Sequence, residues 1–208
     1  MKKCLVNFIY LFCSISFGQK VETEEFYSKK IENKRNIELI YCSNNKRFSV
    51  KLAGKKIEEV EIGDGYNNES NKYFIAVDGT IIQCMIIPIP AHLKKTNYED
   101  TEKILKEYLV YELNHIKNEL KVNISDDLMM PGNLASRKYL LWKYKLTDNI
   151  NINDGETVKG QIHLSTICFN QILTLGIPIQ DFSLENKYKR KLINIARRIT
   201  MAEKPCEK

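Results

Sequence analysis

Three polar side chains at helical spacing, Glu112, His115 and Glu119, are the best candidates for chemistry in this sequence. A Glu-x-x-His pair on one helical face can hold a metal ion, or set a carboxylate beside an imidazole for proton transfer. At about 100° per residue the three fall between Tyr108 and Leu105, where they interrupt an apolar arc. A di-metal bundle needs a second such pair from another helix, and the sequence has none. The plainer alternative is a row of hydrogen-bonding side chains where a helix borders a sheet. No cofactor or resident metal is expected.

Other candidates fail on spacing. His163 lies among Ile162, Leu164 and Ile167, as a hydrogen-bonded core histidine would, and His92 follows Pro88 and Pro90 with no evident partner. Three histidines in all exclude a His-rich metal site. Cys168 and His163 are five apart, which puts them on opposite surfaces of one strand and argues against a thiol dyad. There is no G-x-S-x-G elbow. Gly63-Asp64-Gly65 lacks the further glycine, the lysine and the following helix of a phosphate loop. Asn149, Asn151 and Asn153 resemble calcium ligands, but Asp154 stands where glycine is needed and the closing glutamate is missing.

The elements that would position these residues read as α+β. Ile37–Tyr41 is a short strand, and Phe48–Leu52 followed by Ile57–Ile62 reads as a half-exposed hairpin turning at Ala53-Gly54. Tyr73–Val77 and Thr80–Ile87 flank Asp78-Gly79, the dipeptide that suits a type I′ turn because both central residues need φ > 0. Asn97–Lys121 is the clearest helix, with Asn97 as its cap and Leu105, Leu109, Leu113, Ile116 and Leu120 as its buried stripe. Pro131-Gly132 reads as a loop before a strand over Lys138–Leu146, and Thr147–Gly155 as a turn. Gln161–Phe169 and Ile172–Ile177 form a hairpin that is apolar on both faces, so it needs cover on both sides. Pro178 breaks it, and a final helix starts at Ser183 with Leu184, Tyr188, Leu192, Ile195, Ala196 and Ile199 inward.

The first residues, MKKCLVNFIYLFCSISFGQK, set the compartment. Lys2 and Lys3 precede an apolar run too short for a comfortable membrane span, and Ser16 and Gly18 suit a signal-peptidase site. Phe12 is too bulky to precede a lipidated Cys13. Cleavage after Gly18 and a periplasmic or secreted chain are expected, with no transmembrane anchor left after the cut. Residues 19–36 read as a flexible polar lead, 37–202 as a single domain and 203–208 as a tail. Loss of Lys2 and Lys3 lowers the net charge from +6 to +4. That excess is too mild for a nucleic-acid binder in a chain with 28% charged residues.

In an oxidising compartment Cys42, Cys84, Cys168 and Cys206 are candidates for disulfides, with three pairings open. The last helix carries Lys187, Lys189, Arg190, Lys191, Arg197 and Arg198, either a solvated face or a patch for anionic lipid, acidic glycan or an acidic partner. Two amphipathic helices on a mostly antiparallel sheet, with Ile172-Leu173-Thr174-Leu175-Gly176-Ile177-Pro178 running into a terminal helix, resemble the PsbP-like α/β/α sandwich over about Tyr73–Met201. That resemblance implies a small non-enzymatic module that binds a protein or another envelope component. Two alternatives stay open: an envelope hydrolase or metal-binding enzyme built on Glu112 and His115, and an immunity protein against an exported toxin.

Overall fold

Asp78 and Gly79 have φ of 50° and 77°, so the Asp-Gly dipeptide makes the tight turn expected between its two strands. The computed structural model describes residues 26–33, 35–60, 72–90, 93, 100–120, 123–134, 137–152 and 156–206. In chain order these form β1 (Tyr27–Asn33), β2 (Asn36–Cys42), β3 (Arg47–Ala53), β4 (Ile57–Glu59), β5 (Lys72–Val77) and β6 (Thr80–Pro88). Then follow α1 (Thr101–Leu120), β7 (Ile124–Leu134), β8 (Arg137–Ile152), β9 (Glu156–Cys168), β10 (Gln171–Ile179), α2 (Glu185–Ala196) and β11 (Thr200–Ala202). The fold is α+β, with two antiparallel sheets in the orders β1-β2-β3-β11 and β4-β5-β6-β10-β9-β8-β7.

Alternation along the central strands sends side chains to two separate cores. Met85, Ile87, Leu140, Trp142, Tyr144 and Ile172 pack under α1. Ile82, Cys84, Ile86, Leu141, Ile162, Leu164, Leu173, Leu175 and Ile177 pack on the other side, with Leu192 and Ile195 of α2 and with Leu39, Phe48, Val50 and Leu52 of the smaller sheet. The second face is thus covered by a helix and a sheet together. The helical stripe read from the sequence is buried at Leu105, Leu109, Leu113 and Ile116.

Several local expectations change. Residues 27–33, read as a flexible lead, form β1, held by backbone pairing with β2 from Tyr27↔Cys42 to Asn33↔Asn36. An outer strand needs no apolar alternation when its partner supplies the ladder. The hairpin read over Phe48–Ile62 does not form. β3 pairs with β2, while β4 pairs with β5 in the other sheet. Asp78 redirects the chain there, since its Oδ1 accepts the Lys55 and Lys56 amides at 2.8 and 2.9 Å. Gly54 is needed at that crossing, where a Cβ would meet Val77 Cγ1 at 2.7 Å.

Pro131-Gly132 is not a loop but part of β7, an edge strand where a missing N–H is tolerated. The Thr147–Gly155 turn is shorter than expected, because β8 continues to Ile152. Pro178 lies inside β10, past the last β6 pair at Gly176↔Gln83, with a neighbour only on the β9 side. The 161–177 hairpin turns at Phe169-Asn170, with Phe169 at φ 57°. Asp100 receives the Lys103 amide at 3.1 Å and so caps α1 a turn later than expected; Asn97 lies outside the described residues. Asp181 caps the 3₁₀ turn that leads into α2, accepting the Ser183 amide at 2.8 Å. Leu184, expected inward, is 37% exposed in that turn.

The four sheet edges differ in kind. β4 and β11 are only three residues long. β1 carries ion pairs from Lys30 to Glu32 and Glu59. β7 has eleven residues and exposes Leu128, Met129 and Met130.

Candidate functional site

β9 carries Gln161, His163 and Ser165 at alternate positions, all buried and all on the side covered by α1. Register aligns Trp142 of β8, His163 of β9, Gly176 of β10 and Gln83 of β6 across the sheet. The imidazole of His163 stacks on Trp142 with centroids 3.9 Å apart and planes 10° from parallel. It extends over Gly176, where a Cβ would lie 2.9 Å from His163 Nδ1 and 3.3 Å from Gln83 Oε1. Glycine thus leaves the space that the ring occupies. Trp142 Nε1 donates to Ser165 Oγ at 3.0 Å, and Ser165 is 3.0 Å from Thr174 Oγ1.

From above, α1 lowers Glu112 into the same layer. Its side chain is 3% exposed, and its Oε2 has no hydrogen-bond partner among the described residues. Both ring nitrogens of His163 share that condition. Burial pushes the Glu112 carboxyl up to about 8, opposed by the positive charge of Lys72. Burial likewise pushes His163 down to about 3. The Tyr144 hydroxyl is raised well above its ordinary value by burial, and further by the Glu112 charge, which places the carboxyl near β8. At neutral pH the acid and the imidazole are therefore both uncharged, the state that a dry surrounding favours. A neutral acid beneath a helix can store or exchange a proton; it is a poor metal ligand and is closed to a substrate.

The helical cluster read from the sequence divides. Glu112 is buried; His115 is half-buried and lies parallel to Tyr111 at 6.5 Å. The Glu119 side chain lies outside the described residues. Among the described residues no group of three or more His, Cys, Asp or Glu could hold a metal ion. His92, Gly63–Gly65 and the Asn153–Gly155 end of the calcium-like stretch also lie outside them.

The layer around His163 was visible in part, since Gln161, His163 and Ser165 are polar at every second position. Reading that run as apolar on both faces hid it. Nothing local shows that Glu112 meets the same face, because a helix far away in sequence supplies it.

Of the four cysteines, Cys42 and Cys206 form a disulfide with Cα atoms 5.9 Å apart, tying β2 to the C-terminal segment. Cys84 and Cys168 are free and buried, their thiols pushed up to about 12 by burial. They are core residues without thiolate character.

The six basic residues of the terminal helix do not form one patch. Lys191 Nζ donates to the Val77 carbonyl at 2.7 Å, and burial lowers its pKa. Lys189 turns the other way, its Nζ 3.7 Å from Met130 Sδ on β7. Arg190 Nε donates to the Asn186 carbonyl at 3.2 Å and Arg197 to Asn194 Oδ1 at 3.4 Å. Lys187 and Arg198 are exposed. Arg137 donates to the Ile199 and Ala196 carbonyls at 2.9 and 3.2 Å, neutralising the helix C-terminus. Among the described residues no helix is long and apolar enough to cross a membrane.

No family model matches the chain. No curated protein matches it either. Among solved structures it is similar to the solution structure of cyanobacterial PsbP (CyanoP) from Synechocystis sp. PCC 6803, with 7% identity and a TM-score of 0.45 over 89% of this chain and 98% of that one. The likeness is one of fold alone.

Proposed function

We propose that this chain is an exported, non-enzymatic α+β module that works by binding a protein or another component of the cell envelope. The observation that carries the proposal is the place of two strongly perturbed titratable groups, a carboxyl and an imidazole. Glu112 and His163 lie 3% and 5% exposed beneath α1, where burial favours the neutral form of each. Catalytic groups need access to a reacting atom. Export is supported separately by the Cys42–Cys206 disulfide, a bond that persists in oxidising compartments. The leader over residues 1–18, cut after Gly18, is part of the same proposal.

Fractionation of cells producing the chain, with mass-spectrometric mapping of its thiols and N-terminus, tests it. The expected species begins at Gln19, carries the Cys42–Cys206 bond, keeps Cys84 and Cys168 as thiols and cross-links to an envelope component. A cytoplasmic chain that keeps Cys42 and Cys206 as free thiols would overturn export. Loss of a measured hydrolytic activity in Glu112→Gln would overturn the non-enzymatic assignment.

A further inference from the structure

The edge strand β7 and the adjoining flank of α2 share a surface whose chemistry fits one kind of partner. Leu128, Met129 and Met130 are 42%, 44% and 38% exposed, the only three consecutive large apolar side chains so exposed among the described residues. The remaining sheet edges are short or charged, as edges protected against unwanted pairing usually are. β7 is itself closed to an added strand. Its register with β8 shifts between Ser125 and Leu128, and Pro131 follows Met130 directly, so a continuous ladder cannot be built along the free edge. The apolar triplet is thus offered through its side chains rather than its backbone.

Alternation turns Leu128 and Met130 toward α2, where they line a groove with Leu141, Lys143, Glu185 and Lys189, and turns Met129 to the opposite face. Such a ridge of flexible side chains has no single concave complement. Flexible Leu and Met side chains adapt to an irregular apolar surface. Next to the ridge stands Lys189, in contact with Met130, and about 80–100° further round lie Arg190 and, just past the helix end, Arg197, on its outer face. Among the described residues none of these three cations has a carboxylate partner. Two copies of this chain meeting ridge to ridge would bring the cations together, which disfavours self-association.

We propose that this corner docks on an anionic phospholipid surface, with Leu128, Met129 and Met130 entering the headgroup–acyl boundary and Lys189, Arg190 and Arg197 meeting lipid phosphates. It rests on the proposal that the chain is exported and binds an envelope component, and it names that component. Apolar insertion and basic attraction are each weak alone and add when contiguous.

The test is flotation of the full chain with vesicles of phosphatidylglycerol and phosphatidylcholine, against phosphatidylcholine alone. It is paired with amide exchange at residues 128–130 and 189–190, and every variant keeps the same N-terminal segment. Wild type is expected to float with the anionic vesicles and gain exchange protection at both stretches. Leu128→Ser/Met129→Ser/Met130→Ser and Lys189→Glu/Arg190→Glu should each weaken partitioning about tenfold or more, with unchanged melting temperatures showing that they remain folded. Equal flotation of wild type and both variants would overturn the proposal, as would wild type binding without protection at residues 128–130. Binding to soluble polyglutamate that the serine variant leaves intact would point instead to an acidic protein. Failure on vesicles with envelope cross-linking intact would remove the lipid partner alone; loss of both would remove the envelope-binding proposal as well.

Discussion

Along β9, Ile162 and Leu164 enter the core shared with α2 and the smaller sheet, while Gln161, His163 and Ser165 enter the layer beneath α1. Neighbouring residues of one strand therefore serve two different interiors. The first is dry: Leu164, Leu173, Leu175 and Cys84 are fully buried there. It draws its stability from area removed from water, and no partner in it is specific. The second mixes aromatic rings with amides, hydroxyls, an imidazole and a carboxyl. Such a layer is stable only while its polar atoms are paired or uncharged. The dry side is held by area removed from water; the polar side is held by Trp142, Ser165 and Thr174 bonded across three strands.

The largest test of this contrast is truncation. Leu175→Ala should cost about 2–5 kcal/mol in urea unfolding, the usual range for emptying a close-packed site. Thr174→Ala, one residue along and facing α1, should cost only about 1–2 kcal/mol through the lost contact with Ser165. Equal costs would erase the distinction between the faces.

Acidity gives the next largest effect. Glu112 has its folded pKa raised from 4.5 to about 8, so the native state holds the extra proton across that interval. Its contribution is fully present below pH 4.5 and is lost as pH rises through 8. His163 has its folded pKa lowered from 6.5 to about 3, so the unfolded chain holds the extra proton there. Its contribution is fully present above pH 6.5 and is lost as pH falls through 3. Between the two unfolded values the slopes oppose, and stability should be flat from about 4.5 to 6.5. Each limb outside the plateau has a slope of at most about 1.4 kcal/mol per pH unit. Urea titrations across pH should show Glu112→Gln flattening the alkaline limb and His163→Gln the acid limb. A wild-type profile without either limb would show that the layer beneath α1 is wet.

Trp142→Phe should lower stability by about 1 kcal/mol through the hydrogen bond to Ser165, sharpening the estimate for one polar contact in that layer. Smallest is Lys106→Ala on the outside of α1. It removes a solvent-exposed pair with Glu102 and should shift unfolding by at most about 0.5 kcal/mol.

How much of this was legible in the sequence follows from the range over which each feature is determined. Asp78-Gly79 dictates its turn through two φ values, and the α1 stripe through a repeat within one helix; both were readable. β1 was not, because a polar outer strand is specified by its partner β2 rather than by its own residues. Pro131 and Pro178 read as breakers because proline chemistry is local, whereas the freedom that tolerates them comes from a missing neighbour strand. Gly54 marked the end of β3, but which sheet receives the next strand depends on Asp78, more than twenty residues later. Of the candidate site, His163 was recognised as interior; Glu112 comes into the same layer beside Tyr144 from a helix that no short-range pattern links to β9. The cysteine pairing stayed open for the same reason.

The Cys42–Cys206 bond spans 164 residues of sequence. A polypeptide emerges N-terminus first, so Cys42 must wait as a thiol until Cys206, 164 residues later, has been released. Every strand between them can find its neighbours before the ring closes, and β11, laid on β3 just ahead of Cys206, is among the last pieces to arrive. A chain interrupted before Cys206 keeps an unpaired thiol at the end of β2, while one extended past β11 can close the ring.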